Sequence, residues 1–210
     1  MLKAVKALTD AAGSVVGIRG GTEEPAYSAE PLSDGVELRR YGQRVAAQTT
    51  VEAGEEAARN SGFRRLAGYI FGGNHAGTKI AMTAPVAQQP GAGRGERIAM
   101  TAPVAQEATA DGRWVIRFFM PADKTLSTLP QPKDPAVELV TVPAQTVAVS
   151  RFTGSRSPSA VASETAKLLS IVRKHGLELA GTPEAWFYDP PWTVPSLRRN
   201  EIAVPIADAP

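Results

Sequence analysis

The chain has 210 residues and no cysteine, which excludes disulfides, thiolate metal ligands and a cysteine nucleophile. Its residues are 43% hydrophobic and 21% charged, a composition that supports a sizeable core and is not typical of a disordered chain. The net charge is +2 and no run of Lys or Arg is longer than a pair, so the sequence predicts no nucleic-acid-binding surface. No apolar run approaches the ~20 residues of a transmembrane helix.

Residues 1–30 are expected to form a leader, short-helical or extended, ahead of a single domain over residues 31–208. Apolar residues between Leu2 and Leu8 have helical spacing, while Asp10 interrupts the pattern of a signal peptide. We therefore expect a cytoplasmic protein that is a monomer or a weak dimer. Export, or a weak peripheral membrane contact through the N-terminus, stays open.

The first half of the domain, about residues 36–120, has the pattern strand, strand, helix, strand, strand. Apolar residues alternate in the strand candidates and recur at i, i+3, i+4, i+7 and i+8 in the helix candidate. Acidic residues begin this helix and two glycines end it. The predicted elements are strands at Val36–Leu38, Val45–Val51, Ile80–Val86 and Trp114–Met120, and a helix at Glu55–Phe71.

The second half, about residues 137–206, repeats the same order. Ser157 can cap its helix and Pro158 suits the first helical position. The predicted elements are strands at Val137–Leu139, Thr146–Phe152, Ala185–Tyr188 and Glu201–Ile206, and a helix at Pro158–His175. The two halves predict an α+β fold in which duplicated ββαββ units form a curved antiparallel sheet, or distorted β-barrel, flanked by two helices.

A nine-residue segment occurs twice, as Ile80–Gln88 and Ile98–Gln106, with an identical sequence. The glycine-rich link between the copies is compatible with a hairpin or with two edge strands. This repeat lies inside the first half and is separate from the larger duplication. A tandem copy of one edge strand explains it as well as a direct chemical role.

Familiar catalytic motifs are missing, and the sequence gives no positive indication of an enzyme. Two histidines, His75 and His175, follow or end the helices, where a surface role is usual. An axial ligand to haem iron is the alternative, and His75 is the better candidate because the preceding glycine turn could fold it back over the helix.

The apolar stripe of the first helix is either core or one side of a flat cleft. The stripe is flanked by Arg59, Arg64 and Arg65, and guanidinium groups beside an apolar slot would suit a planar ligand that carries carboxylates. The aromatic and proline-rich segment from Trp186 to Glu201 could form a wall of such a cleft or simply cap the sheet.

Several motifs together resemble the SOUL haem-binding protein family. They are VELRRYG (36–42), GFRRLAGYIFGGN (62–74), KIAMTAPV (79–86) with its partner RIAMTAPV (97–104), WVIRFFMP (114–121) with the TLSTLPQP that follows it, and YDPPWTVPSLRRNEI (188–202). They follow the family's order over roughly residues 25–206. The resemblance implies a duplicated ββαββ barrel and non-covalent binding of haem or another tetrapyrrole in a cleft beside the first helix.

The resemblance also implies the ligand-binding residues. Arg64 and Arg65 would meet the propionates, and His75 is the candidate iron ligand. Some family members have a histidine where this chain has Arg40, so ligation from that position is not expected. The other expected contacts are Phe63, Leu66, Ile70, Phe71, Tyr188 and Trp192.

Three functions are compatible with this sequence. The first is a carrier, buffer or sensor of haem or porphyrin. The second is an enzyme that removes iron from a tetrapyrrole or opens its ring, for which Tyr41, Tyr69, His75 and Glu201 are candidate acids or bases. The third, by analogy of fold with effector-binding domains of bacterial regulators, is a module for other small molecules.

Overall fold

The structure, a computed structural model, describes residues 22–91, 112–190 and 192–207. Most of the expected leader and the second copy of the nine-residue repeat lie outside these residues. Among the described helices, none is long and apolar enough to cross a membrane. The helices are α1 (Glu55–Ile70) and α2 (Pro158–Lys174), with a 3-10 turn at Pro195–Leu197. The strands are β1 (Tyr27–Ser33), β2 (Val36–Tyr41), β3 (Arg44–Glu52), β4 (Val86–Pro90), β5 (Arg113–Phe119), β6 (Glu138–Val142), β7 (Gln145–Phe152), β8 (Glu184–Phe187) and β9 (Asn200–Ile206).

The strands form one antiparallel sheet in the order β1-β2-β7-β9-β8-β4-β5-β3-β6. The two halves exchange their first strands: β2 pairs with β7 of the second half, and β6 pairs with β3 of the first. β4 and β8 lie side by side at the centre, where Ala87 opposes Trp186. This arrangement confirms the predicted α+β fold with duplicated ββαββ units.

The sheet curls so that strands far apart in its order approach one another. The guanidinium of Arg44, at the start of β3, lies 4.2 Å from the ring centre of Tyr41 on β2 and 4.6 Å from that of Phe119 on β5. β2 stands second in the sheet and β3 eighth, so this contact closes the curl. The predicted curved sheet flanked by two helices is therefore confirmed.

Two local features differ from the sequence analysis. The strand expected at Ile80–Val86 begins only at Val86 and continues to Pro90. Pro85 has no amide hydrogen to donate, and the amide of Ile80 donates to the carbonyl of Ile70 at 2.8 Å instead of to a strand. The second difference is β1, a strand that the sequence analysis did not assign and that pairs along β2.

The two helices end close to their predicted bounds. Ser157 caps α2, since its hydroxyl accepts from the amide of Ala160 at 3.3 Å, and Pro158 takes the first helical position. α1 begins after Gly54 without a side-chain cap, but two glutamates in its first turn favour the positive end of the helix dipole. Gly72, with φ at +112°, reverses the chain after α1.

Alternate side chains of the strands point to opposite faces of the sheet. On one face, α1 covers a core that contains Leu66, Ile70 and Phe118, and α2 covers a second core around Leu168 and Val172. On the other face the curl encloses a third core, which we call the inner core. It comprises Tyr41, Ala46, Ala84, Ala87, Phe119, Val142, Val147, Val149, Trp186, Tyr188 and Ala203.

Gly62 is required where α1 crosses β5. A Cβ atom added there would lie 2.4 Å from Cγ1 and 2.8 Å from Cβ of Ile116, a buried side chain. We predict that Gly62→Ala lowers the free energy of unfolding by about 1–3 kcal/mol, because overpacking outweighs the helix propensity gained. Gly68→Ala is the matched control: nothing lies within 4 Å of its added Cβ, and it should stabilise by about 0.5–1 kcal/mol. Chemical denaturation measures both, and equal effects of the two substitutions would contradict this account.

Candidate functional site

The structure divides the predicted α1 residues among different sides of the helix. Leu66 and Ile70 are buried in the core beneath it. Phe63 lies on the flank that faces the centre of the sheet, with its ring 5.3 Å from Phe118 in an edge-to-face contact and 38% of its surface exposed. Phe71, at the C-terminal end of α1, is 60% exposed. Of these apolar residues, only Phe63 and Phe71 can therefore touch a ligand without rearrangement.

The two predicted arginines do not share a flank of α1 with Phe63. Arg65 donates to the hydroxyl of Thr49 on β3 at 2.8 Å and pairs with Asp134 at 3.3 Å. It therefore lies on the flank of α1 that faces the edge of the sheet. Arg64 is exposed and contacts Ser61 on its own helix at 3.5 Å. Their expected role at the propionates stays a prediction.

His75 is exposed beyond the end of α1. The glycine turn that was expected to fold it over the apolar stripe instead directs it to the segment after β5, where its amide donates to the carbonyl of Gln131 at 3.0 Å. The hydroxyl of Tyr69 donates to the neighbouring Pro130 carbonyl at 2.9 Å. His75 thus shares the sheet-edge flank with Arg65, away from Phe63.

Two other arginines lie on the Phe63 side: Arg59, which the sequence analysis named beside the apolar stripe, and Arg156, which it did not consider. The guanidinium of Arg59 lies 4.9 Å from the ring centre of Phe187 on β8, and that of Arg156 lies 5.6 Å from the same ring. Arg59 also approaches Gln88 at 3.5 Å and donates to the carbonyl of Arg156 at 3.3 Å. Two cations therefore share one aromatic ring between α1 and the loop that precedes α2.

Neither Arg59 nor Arg156 forms an ion pair with a carboxylate in the described part of the chain. Burial lowers the pKa of both guanidinium groups. For Arg156 the pKa falls to about 10, because the charges of Arg198 and Arg59 add to the effect of burial. The concentrated positive charge favours an anionic group at this position.

The loop over residues 189–199 completes this surface. Arg156 donates to the carbonyl of Asp189 at 3.0 Å, and the amide of Gly154 donates to the carbonyl of Pro195 at 2.9 Å. These bonds hold the loop beside Arg156, while Trp192 is 64% exposed. We call the surface formed by Arg59, Phe63, Arg156, Phe187 and Trp192 the helix-side surface.

Tyr188, although close to Trp192 in sequence, belongs to the opposite face of the sheet. It is buried in the inner core, and its hydroxyl donates to Glu201 at 2.7 Å. Arg39 donates twice to the same carboxylate, at 2.7 and 3.0 Å, and Arg199 donates at 2.8 Å. Of the two predicted contacts, Tyr188 is therefore buried in the inner core, whereas Trp192 is exposed in the loop after β8.

The carboxylate of Glu201 is fully buried and remains charged. Burial alone would raise its pKa, but hydrogen bonds and positive charge from Arg39, Tyr188 and Arg199 outweigh burial, and the net pKa is lowered. The same burial and the adjacent carboxylate raise the pKa of Tyr188. The Glu201 carboxylate, whose hydrogen-bonding positions are all occupied, joins β2 to β9 across β7. It is therefore not available as a general base.

Comparison with known proteins shows which family and which solved structures this chain resembles. The family model described as SOUL heme-binding protein matches residues 22–205. The human protein named Heme-binding protein 2 is 29% identical over 161 residues, which are 73% of this chain and 71% of the human protein.

Two solved structures share the fold at low sequence identity. The C-terminal domain of EcmrR has a TM-score of 0.58 at 13% identity, covering 87% of this chain and 99% of that domain. An uncharacterized conserved protein from Listeria innocua has a TM-score of 0.54 at 11% identity, covering 82% and 92% of the two chains. At these identities the likeness shows the fold alone.

The Glu201 network predicts a pH-dependent contribution to stability. Glu201→Gln should lower the free energy of unfolding at pH 7 by about 3 kcal/mol or more, because Arg39 keeps a buried charge and loses its main partner. Since the folded-state pKa lies below the ordinary value of 4.5, this contribution is fully present above that value and lost as the pH falls through the folded-state pKa. Urea denaturation of both proteins at pH 7 and at pH 3.5 should show the difference shrinking at the lower pH.

Glu30→Gln is the control for this prediction. Glu30 pairs with Arg40 at 2.7 Å on the exposed edge strand, so the substitution should change the stability little. An effect of Glu201→Gln as small as that of the control would contradict the role assigned to the buried carboxylate.

Proposed function

The chain belongs to the SOUL haem-binding protein family, and from that premise we propose that it binds haem or a related tetrapyrrole non-covalently on the helix-side surface, between α1 and the loop that carries Trp192. One observation supports this position above the rest. Arg59 and Arg156 approach the same ring of Phe187 and have no carboxylate partner among the described residues. Guanidinium groups bind carboxylates through paired hydrogen bonds, and tetrapyrrole propionates offer such carboxylates beside a flat apolar ring.

The apolar part of this surface fits a planar ring. Phe63 and Trp192 are both exposed, and β4, β5 and β8 supply the strands beneath them, where Phe118 and Phe187 both oppose Val86. Exposed large aromatic side chains are typical of ligand or partner surfaces. The residues present therefore suit ring stacking together with propionate binding.

A free-energy estimate indicates the kind of binding. Burying a few hundred Å² of ring and protein surface contributes on the order of 10 kcal/mol at about 25 cal/mol/Å². The loss of translational and rotational freedom opposes this by about 4–15 kcal/mol. These two contributions leave at most about 6 kcal/mol, which corresponds to a Kd of tens of micromolar or weaker before the propionate contacts are added. Such reversible binding suits a carrier or buffer that releases its ligand.

The bound iron would supply the characteristic absorption of haem, and its ligand is a separate question. His75 is the predicted ligand, but it lies with Arg65 on the sheet-edge flank of α1, whereas Arg59 and Phe63 lie on the other flank. A tetrapyrrole stacked on Phe63 is therefore not expected to reach His75. We therefore propose that ring burial and propionate contacts, rather than ligation by His75, hold the ligand.

The arginine pair provides the first test. Arg59→Ala and Arg156→Ala should each weaken haem binding about tenfold or more, since each removes a charge-assisted contact to a propionate. The measurements are the Soret absorbance and the quenching of tryptophan fluorescence during haem titration. Arg173→Ala is the control, because Arg173 is exposed on α2 and its guanidinium donates to the Leu169 carbonyl of its own helix. Binding that is equally tight in all four proteins would exclude the helix-side surface, and no binding at about 100 µM haem would exclude the function.

The histidine provides the second test. Wild type and His75→Ala should bind haem with equal affinity, and each should bind iron-free protoporphyrin as tightly as haem. A preference for haem that disappears in His75→Ala would show ligation by His75, and the ligand would then lie on the sheet-edge flank of α1 with Arg65. Parallel absorption titrations of both proteins with both ligands distinguish the two positions.

A further inference from the structure

A second cavity lies away from the helix-side surface. It has a volume of about 670 Å³ and is lined by the residues before β1, the turn between β2 and β3, and the loop after β5. Its walls combine apolar side chains, among them Val45, Met120 and Leu126, with the charged side chain of Arg44. A volume of this size is within the range of small-molecule binding sites.

Arg44 lines this cavity, and its guanidinium lies against inner-core rings. Its guanidinium is held between the rings of Tyr41 and Phe119, at 4.2 and 4.6 Å from their centres. Nε and Nη2 are shielded from solvent and have no hydrogen-bond partner in the described part of the chain. Cation–π contact with two rings stabilises the charge but satisfies none of the donors.

The other charged groups near Arg44 already have partners. Glu184, the nearest carboxylate of the inner face, accepts from the indole nitrogen of Trp186 at 2.9 Å and from Arg117 at 3.1 Å. Glu23 lines the cavity and accepts from the amide of Ala122 at 2.7 Å. Lys124, also in the lining, pairs with Asp123 at 2.6 Å. Arg44 is thus a half-buried cation with unused donors at the wall of a cavity.

A half-buried cation without a partner is unfavourable, and a bound anion removes that penalty. Burial accordingly lowers the pKa of Arg44, although a guanidinium remains charged at neutral pH. The apolar walls favour a ligand with a hydrocarbon body, and the carboxylate of Glu23 disfavours a multiply charged anion. A single carboxylate with an apolar body meets all of these conditions.

We propose that this cavity binds an amphipathic organic monocarboxylate, whose carboxylate pairs with Arg44 and whose apolar body lies against Val45, Met120 and Leu126. None of the residues that form the helix-side surface lines this cavity. The site does not depend on tetrapyrrole binding, and the two sites can be occupied together.

Octanoate is a suitable first ligand, with octan-1-ol as its neutral match and octylamine as its cationic match. Isothermal titration calorimetry of the full chain at pH 7 should show octanoate binding at least about tenfold more tightly than octan-1-ol, and no binding of octylamine. Equal affinity for octanoate and octan-1-ol, or no octanoate binding up to about 1 mM, would overturn the proposal.

Three variants assign the binding to Arg44. Arg44→Met keeps the stem and removes the unpartnered charge, so it should fold, with a Tm equal to or above that of wild type, and lose the preference for octanoate over octan-1-ol. Leu126→Glu, at a position that is 41% exposed in the cavity lining, should weaken octanoate binding by charge repulsion without disturbing the core. Arg173→Met, on the outer side of α2, should bind octanoate as wild type does.

If Arg44→Met does not fold, Leu126→Glu alone decides the question: octanoate affinity equal to that of wild type in this variant would refute the site. Titration of octanoate in the presence of saturating haem separates this proposal from the previous one. Unchanged octanoate affinity supports two sites. Displacement by haem would mean that the cavity belongs to the haem site, and the second site would be refuted while tetrapyrrole binding stands. Octanoate binding without haem binding would refute tetrapyrrole binding and leave this site in place.

Discussion

The exchange of first strands between the two halves is the constraint on which the rest of the structure depends. β2 completes the second half by pairing with β7, and β6 completes the first half by pairing with β3. Each ββαββ unit would otherwise leave an unpaired edge in its own sheet, and unpaired edges are prone to wrong pairings. The central pairing of β4 with β8 then joins the two completed halves into a single sheet.

This connectivity also determines what lies on each face. α1 and α2 cover one face with two separate cores, and the central strands between them support the aromatic and cationic helix-side surface. The curl of the sheet encloses the other face, so that polar side chains there are buried with aromatic ones. The consequence is a charged interior in which Glu201 must be bonded by Arg39, Arg199 and Tyr188 to be tolerated.

The arginines of this protein fall into two groups with different physical meanings. Arg39 and Arg199 have carboxylate partners at hydrogen-bond distance, and they stabilise the fold by joining strands. Members of both groups lie over aromatic rings, but the second group has no carboxylate partner among the described residues; it comprises Arg59, Arg156 and Arg44. We propose that the second group binds anionic ligands.

The sequence by itself determined the order and type of the elements, because alternation and helical periodicity are local properties. α1, α2 and the strands from β5 to β9 differ little from their predicted positions, and the paired VEL segments revealed the duplication. β1 was not predicted, because its sequence YSAEPLS has little alternation of apolar and polar residues. It forms a strand through its pairing with β2. The strand expected at Ile80–Val86 begins only at Val86, because the amide of Ile80 donates to the carbonyl of Ile70 at the end of α1.

Only the tertiary structure decided which side chains share a site. Residues that are close in the sequence do not share one flank of α1. The helix and the turn after it separate Phe63, Arg64, Arg65 and His75 from one another. Arg59, Arg156 and Phe187 come from three distant segments and meet because the sheet places β8 between α1 and the start of α2. The sequence pattern does not single out Arg44. Its guanidinium is buried without a hydrogen-bond partner among the described residues only because the curl of the sheet brings Tyr41 and Phe119 around it. Periodicity specifies which face of an element is apolar, but the assembly of the elements specifies which charges remain without partners, and the proposed sites rest on those charges.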